Sequence, residues 1–363
     1  MDKGVSMAEL AARAGYHKST VSRALRSDPT IPAATRDHIL KIARSLGYRP
    51  HPYLSKVMTL TRSGKPQRFV GETLIWITES RARMKDWRET PFMAPYFNGA
   101  RERAEELGRK LEMIAPDEFF TKYRGKRGVE EYANMLKARG IPGIIMPELQ
   151  NRPLLENTWN DFSVVSINPA DPYNYTVESA PFNLASFNRV TSDRYHNMLD
   201  LMHGLREIGY HRMGLLTGQW TDKWQSGRPR AAYWLLSQQF NTCIEPLYHS
   251  PEEQRHRSFL RDLKEWIEAY KIEVIIADHS HVINWLSEIG LSVPDDIGGV
   301  HQNIGEDVKD WSGIDINMKR ISELAVDILV SAIQRNECGP SEHPALVYVR
   351  GRVAWGRTTQ KRL

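Results

Sequence analysis

The chain has 363 residues, 41% of them apolar and 26% charged, which is ordinary for a globular protein and leaves room for two or three domains with sizeable cores. It has no run of about 18 consecutive apolar residues to suggest a membrane span, "MDKGVSMAEL" lacks a charged-then-apolar leader pattern, and two cysteines, Cys243 and Cys338, imply no disulfide framework and fit a reducing cytoplasm. The net charge of +5 is uneven: residues 1–65 hold 12 Lys/Arg against 4 Asp/Glu while the rest is slightly acidic, the pattern of a nucleic-acid-binding head on a near-neutral body.

Ser6-Met7-Ala8-Glu9 matches a capping box and predicts a helix from Met7, with Leu10, Ala11 and Ala14 as its buried stripe and Gly15 as its stop. A second short helix opens at His17 or Lys18 and runs to about Arg26. Its Val21, Ala24 and Leu25 face inward, and Ser19, Ser22, Arg23 and Arg26 fall at helical spacing on the outward face. Asp28-Pro29 breaks it, and a third helix follows from about Ala33 to Leu46, with Ile39, Ile42, Ala43 and Leu46 apolar. Two short helices, a glycine turn and a supporting helix make a helix-turn-helix. A small, polar outward face with arginines suits a helix in the major groove, because it adds no bulk and brings donors to base edges. The same residues also fit a small helical bundle with a solvated basic face.

The stretches "MAELAARAGYHKSTVSRAL" and "TRDHILKIARSLGYRP" resemble the headpiece of the lactose-repressor (LacI/GalR) family of transcription regulators. The resemblance implies base reading by Lys18, Ser19 and Arg23 and phosphate contacts by Thr20 and Ser22; Arg26, on the same face, joins this DNA-binding set. His17 and Pro32 depart from the family's usual capping Ser or Thr, and with them go those hydroxyl contacts.

Pro50 and Pro52 stiffen the next segment, Pro52 can start a short helix ending near Thr59, and Ser63-Gly64-Lys65-Pro66 reads as a linker. In the family this segment is a hinge helix that inserts a leucine into the minor groove. Val57 falls at that position, flanked by Leu54 and Met58; an apolar helix packed on the body is the other reading.

From Phe69 onward short apolar runs alternate with helices. "TLIWIT", "IPGIIMPEL", "FSVVSIN", "RMGLLTG", "EVIIAD" and "DIGGVH" read as strands. "APYFNGARERAEELGRKL", "SDRYHNMLDLMHGLREIGY", "RPRAAYWLLSQQF", "LKEWIEAY", "SHVINWLSEIG" and "KRISELAVDILVSAIQRN" read as helix. This alternation predicts doubly wound parallel sheets, and the length suggests two lobes. "LREIGYHRMGLLTG", "LSEIGLSVPDDIGGVH" and "GIDINMKRISELAVDILV" extend the resemblance to the family's body. The expected fold is thus an N-terminal all-α helix-turn-helix headpiece plus an α/β body of two Rossmann-like parallel-sheet lobes, periplasmic-binding-protein-like. The expected domains are a headpiece with hinge over 1–60, a linker over 61–67, and a body over 68–363. Within the body, lobe 1 takes about 68–190 and 313–340, and lobe 2 takes 191–312 and 341–363.

The resemblance places an effector between the lobes. It puts Phe92, in Pro91-Phe92, on the cleft wall, although a core Phe fits as well. The family's cleft arginine precedes a small-small-aromatic triplet, here Ala231-Ala232-Tyr233; Pro229 takes the expected place, leaving Arg228 or Arg230 to supply the guanidinium or to sit on the surface. Asp278-His279 ends one strand in place of the family's Asn-Asp pair, and Asn303 stands where an Asp commonly holds ligand hydroxyls. Arg, Asp and Asn side chains fork onto vicinal hydroxyls, and aromatics such as Trp220 and Trp224 cover a sugar's apolar face, so a carbohydrate is the first expectation.

No G-x-S-x-G, phosphate-loop or dinucleotide glycine motif is present, and His279 and His281 lack further donors at a recognised metal spacing. No cofactor, metal or catalytic residue is expected. The expectation is a non-enzymatic regulator, most simply a repressor. It would act as a cytoplasmic homodimer on palindromic operator DNA under a sugar or sugar-derived effector. The rival readings are a non-sugar effector such as a nucleobase, an architectural DNA binder with a vestigial cleft, and an enzyme fused to a DNA-binding head.

Overall fold

A computed structural model describes residues 6–25, 30–46, 48, 72–77, 94–114, 126–147, 159–167, 186–249 and 256–362. The chain divides into two compact units, one of Met1–Phe69 with Gln334–Glu337, the other of Val70–Ile333 with Cys338–Leu363. Among the described residues no helix is long and apolar enough to cross a membrane.

The first unit holds three helices, α1 (Met7–Ala14), α2 (Lys18–Leu25) and α3 (Ala33–Ser45). Ser6 caps α1 as the capping box requires, its hydroxyl accepting the Glu9 amide at 3.2 Å. Gly15 ends the helix at φ +72°, a left-handed conformation that a side chain would strain. Leu10, Ala11, Ala14, Val21, Ala24, Ile31, Ile39 and Ala43 form the core, wrapped by Met7, Leu25, Ile42, Leu46 and Tyr48. The alanines let these short helices approach closely, so a few apolar side chains suffice to close the unit. The Tyr48 hydroxyl reaches back to the Met7 sulfur at 3.7 Å, tying the end of the unit to its start. His17 takes over the missing hydroxyl cap, its Nδ1 accepting the Ser19 amide at 3.4 Å, whereas Pro32 leaves α3 without a side-chain cap.

The second unit contains two six-stranded sheets. The first is built from β1 (Thr73–Ile77), α4 (Ala94–Glu106), β2 (Lys110–Ile114), α5 (Lys126–Ala138), β3 (Gly143–Pro147), β4 (Ser163–Ile167) and β5 (Asn188–Ser192). The chain then crosses into α6 (Arg194–Glu207), β6 (Met213–Gly218), α7 (Gln219–Trp224), α8 (Arg228–Gln239), β7 (Leu247–His249), α9 (His256–Tyr270), β8 (Val274–Ala277), α10 (Val282–Glu288), β9 (Gly298–His301) and β10 (Ser312–Asp315). It returns through α11 (Met318–Gln334) to β11 (Leu346–Val349) and crosses again to β12 (Arg352–Ala354).

The strand orders are β11-β5-β4-β3-β1-β2 and β12-β10-β9-β8-β6-β7, parallel throughout except that β12 runs antiparallel to β10. β4, β6, β8 and β9 are buried along their whole lengths, as strands covered by helices on both faces must be. In each sheet the order reverses beside one strand, β1 and β6, and ligands bind at the carboxyl ends next to such reversals. The largest apolar cluster runs through both sheets, from Trp76 and Phe97 to Leu201 and Tyr233. Helix α11 lies against α4 so tightly that a Cβ on Gly99 would stand 2.6 Å from the Ser322 hydroxyl, and Arg103–Asp327 at 2.7 Å closes the seam.

Three sequence expectations change. The long helix expected through "GRKL" stops at Glu106, and Lys110–Ile114 is strand β2. Residues Ser312–Asp315, expected from 313 on to belong to lobe 1, complete the second sheet as β10. Leu346–Val349, expected in lobe 2, pairs with β5 in the first sheet. β11 is only four residues long and edges its sheet, so its apolar run is too short for the sequence to say which sheet it joins.

Two of the three crossings between sheets meet at Asn197. Its Nδ2 donates to the Ser192 hydroxyl at 3.0 Å, and its Oδ1 accepts the Gly351 amide at 2.8 Å. Beside it the Asp193 amide donates to the Val349 carbonyl at 2.8 Å.

Candidate functional site

Two surfaces carry chemistry. On α2, Val21 and Ala24 are buried and Lys18, Ser19 and Arg23 are exposed, with Thr20 and Ser22 half-buried beside them. The helical repeat alone produces this division. Ser19 is steadied by a 2.9 Å hydrogen bond between its hydroxyl and His17 Nδ1, and Arg23 donates to the Thr30 hydroxyl. Lys18, Ser19, Thr20, Ser22 and Arg23 thus stand together, while Arg26 and Val57 lie outside the described residues. The face offers cationic and hydroxyl donors on a helix slim enough for a major groove.

The second surface is a cavity of about 370 Å³ at the carboxyl ends of β6, β8 and β9. α7 contributes Trp220, Thr221 and Trp224; the turn after β8 contributes Asp278, His279 and Ser280; β9 and its loop contribute His301, Gln302, Asn303 and Asp307; the start of α6 contributes Arg194. Trp220 and Trp224 stack at 6.0 Å with planes 4° apart, and the Arg194 guanidinium lies 5.4 Å over the Trp224 ring. Trp220 is 53% exposed, an uncovered aromatic face at the mouth.

Asp278 is braced from within. One carboxylate oxygen lies 2.9 Å from His249 Nε2, and the other accepts the Thr217 hydroxyl at 2.8 Å and the Gly218 amide at 3.1 Å. Burial disfavours the charge, but His249, Gly218 and Thr217 outweigh it and hold the carboxyl below its ordinary range. Asp278 lines the cavity with both oxygens already engaged, so the sequence expectation of a ligand-facing acceptor becomes an internal brace. Asn303 also lines the cavity; its backbone amide donates to His301 Nδ1 at 3.1 Å, and its side-chain Oδ1 is buried without a hydrogen-bond partner. Gln302 Nε2 and Trp224 Nε1 are likewise buried without partners.

Arg228 and Arg230 do not line this cavity. Arg230 pairs with Asp222 at 3.0 Å, and Arg228 lies 5.7 Å over the Tyr348 ring. The cavity's arginine is Arg194, directly after the capping Asp193 of α6. A position just past the crossing out of β5 was the available signal for it. Phe92 lies outside the described residues. Sequence reasoning placed His279 beside Asp278 in the strand-end pair and weighed it as a metal ligand, but passed over His301 and Gln302; their place at the end of β9 and directly after it is the cue that finds them. Burial pushes the pKa of both His279 and His301 below the ordinary histidine value, with His249 and His281 adding to the effect at His279. Among the described residues no three His, Cys, Asp or Glu side chains converge as a metal ion would need.

Residues 6–51 match the family model for bacterial regulatory proteins of the lacI family. A curated relative from Mycolicibacterium smegmatis (strain ATCC 700084 / mc(2)155), described as an HTH-type transcriptional regulator, is 24% identical over 260 residues. That match covers 69% of this chain and 60% of the relative, so the chain spans less than two thirds of that protein. Among solved structures, the transcriptional regulator CelR in complex with cellobiose is similar with a TM-score of 0.57 at 15% identity, over 97% of this chain and 99% of that one. The lac repressor dimer bound to operator and the anti-inducer ONPF is similar with a TM-score of 0.54 at 17% identity, over 99% and 100%. At these identities the structural likenesses speak for the fold. The N-terminal helix-turn-helix, residues 6–51, is thus similar to that of the lacI family of bacterial regulatory proteins.

Proposed function

We propose that the chain is a sequence-specific transcriptional regulator, acting as a repressor. In this reading it binds a palindromic operator as a homodimer and answers to a sugar or sugar derivative held at the carboxyl ends of β6, β8 and β9. The observation that carries this reading is the outward face of α2, with Lys18, Ser19 and Arg23 exposed in a unit that matches the lacI model. Lys18 and Arg23 supply salt-dependent attraction to phosphates and donors for base edges. One headpiece offers a small interface, and two on one duplex gain through effective concentration. A ligand in the cavity changes operator affinity only as far as it prefers one arrangement of the protein over another, commonly about 1–3 kcal/mol. The stacked tryptophans beside Arg194 and the amides of Gln302 and Asn303 favour a ring-shaped polar ligand, in line with the cellobiose carried by the similar regulator.

The test is selection from a random duplex pool by the full chain, followed by titration over a range of salt. The expected result is an enriched site with two inverted half-sites whose affinity falls as salt rises. Equal binding to every duplex, or an enriched single half-site, overturns the operator reading.

A further inference from the structure

We infer that the cavity takes a ligand bearing an anionic oxygen group, a sugar acid or sugar phosphate rather than a neutral sugar, and that His279 receives that group and takes up a proton as it binds. This rests on the effector reading above and narrows it.

A neutral sugar is held by acceptors as much as by donors, and a wall carboxylate is the usual strong acceptor. Here the buried wall carboxylate, Asp278, is engaged by His249, Thr217 and Gly218, and Asp307 stands exposed at the rim. Among the buried polar atoms of the lining residues, those without partners lean toward donors: the indole Nε1 of Trp224 and the amide Nε2 of Gln302, against Asn303 Oδ1.

His279 is set up as a further donor. Its Nδ1 accepts the His281 backbone amide at 3.1 Å and lies 3.2 Å from His281 Nδ1, which assigns the neutral ring's proton to Nε2. Trp285 stacks on the ring at 5.4 Å with planes 24° apart, and His249 meets it edge-on at 5.4 Å, so the orientation is fixed. The titratable groups around it are His249 from β7, Asp278 and His281 on its own turn, and His301 from β9, with Asp307 exposed at the rim where solvent screens it. Burial, His249 and His281 keep the empty site's imidazole neutral more readily than an ordinary histidine. An anion at Nε2 reverses that balance and raises the pKa. Between the two pKa values binding takes up a proton, so affinity for the acid rises as pH falls, by up to about tenfold per pH unit.

The probes are D-glucuronate, D-galacturonate and D-gluconate as carboxylates, D-glucose 6-phosphate as the phosphate, and D-glucose and D-galactose as neutral counterparts, titrated calorimetrically into the full chain between about pH 5.5 and 8. At least one acid is expected to bind more tightly than its neutral counterpart, with affinity rising on acidification and with proton uptake, read from two buffers of different ionisation enthalpy. A carboxylate stays ionised across this range, whereas a phosphate monoester sheds charge near pH 6, so the slopes tell the two sources apart. His279→Gln is expected to keep the fold and to abolish both the proton uptake and the pH dependence of acid binding. Neutral sugars that match or beat every acid overturn this inference and leave the effector reading standing. No binding by any probe overturns the inference and counts against the effector reading as well. Tighter acid binding with no proton uptake removes His279 from its role.

Discussion

The two candidate sites are assembled in opposite ways. The α2 face is one stretch of helix, in which Lys18, Ser19 and Arg23 owe their position to helical spacing and to the apolar residues between them. The cavity draws on the ends of β6, β8 and β9, so that Gly218 and Asp278, 60 residues apart, meet through a 3.1 Å bond. A locally built surface loses function when its small supporting core fails; a convergent one loses it when a single brace joining separate strands is cut. The first depends on its unit's stability, the second on its geometry.

The comparison breaks most sharply at Asp278. Asp278→Ala leaves His249, the Thr217 hydroxyl and the Gly218 amide without their acceptor, at about 1–3 kcal/mol each. The expected result, by calorimetry, is a lower melting temperature for the body and lost ligand binding, with headpiece melting unchanged. The same carboxylate sets a pH dependence. Its folded pKa lies below the unfolded value, so its contribution is complete above about pH 4 and fades as pH falls through the folded value. Asp278→Asn should flatten that acid limb of the stability curve.

Leu10→Ala tests the other side. Leu10 is fully buried, and its truncation costs about 2–5 kcal/mol, a large share of what so small a core supplies. DNA binding should vanish while ligand binding persists; unchanged amide-exchange protection in α1–α3 would contradict the account. Arg23→Ala is smaller, about 1–3 kcal/mol on the selected operator with blurred base preference. An equal loss on random duplexes would make Arg23 a phosphate contact. Smallest is Ser6→Ala, about 1 kcal/mol from the lost cap, read as a modest drop in headpiece melting.

Legibility in the sequence follows the same division. The three helices, the Ser6 cap and the inward Val21 and Ala24 could be read because each depends on residues within two turns of one another. Buried parallel strands such as Leu74–Ile77 announced themselves as apolar runs. β2, β5, β7, β10, β11 and β12 did not, because they are short or mix polar with apolar residues and owe their place to pairing with distant strands. In the cavity, Asp278 and Asn303 were placed by the family resemblance and Trp220 by its nearness to a strand end, and all three line the wall, but the arginine was placed two helices too far along. Arg194 and Arg230 look alike in sequence, and only the fold turns one to the cavity and pairs the other with Asp222.

The carboxamide of Asn197 has a mechanical consequence. It grips the chain where it leaves the first sheet, at Ser192, and where it makes its last passage, at Gly351, so two of the crossings between the sheets are clasped at one point. Any rotation of one sheet against the other would pivot at this clasp, with little travel there and the greatest travel at the parts farthest from it.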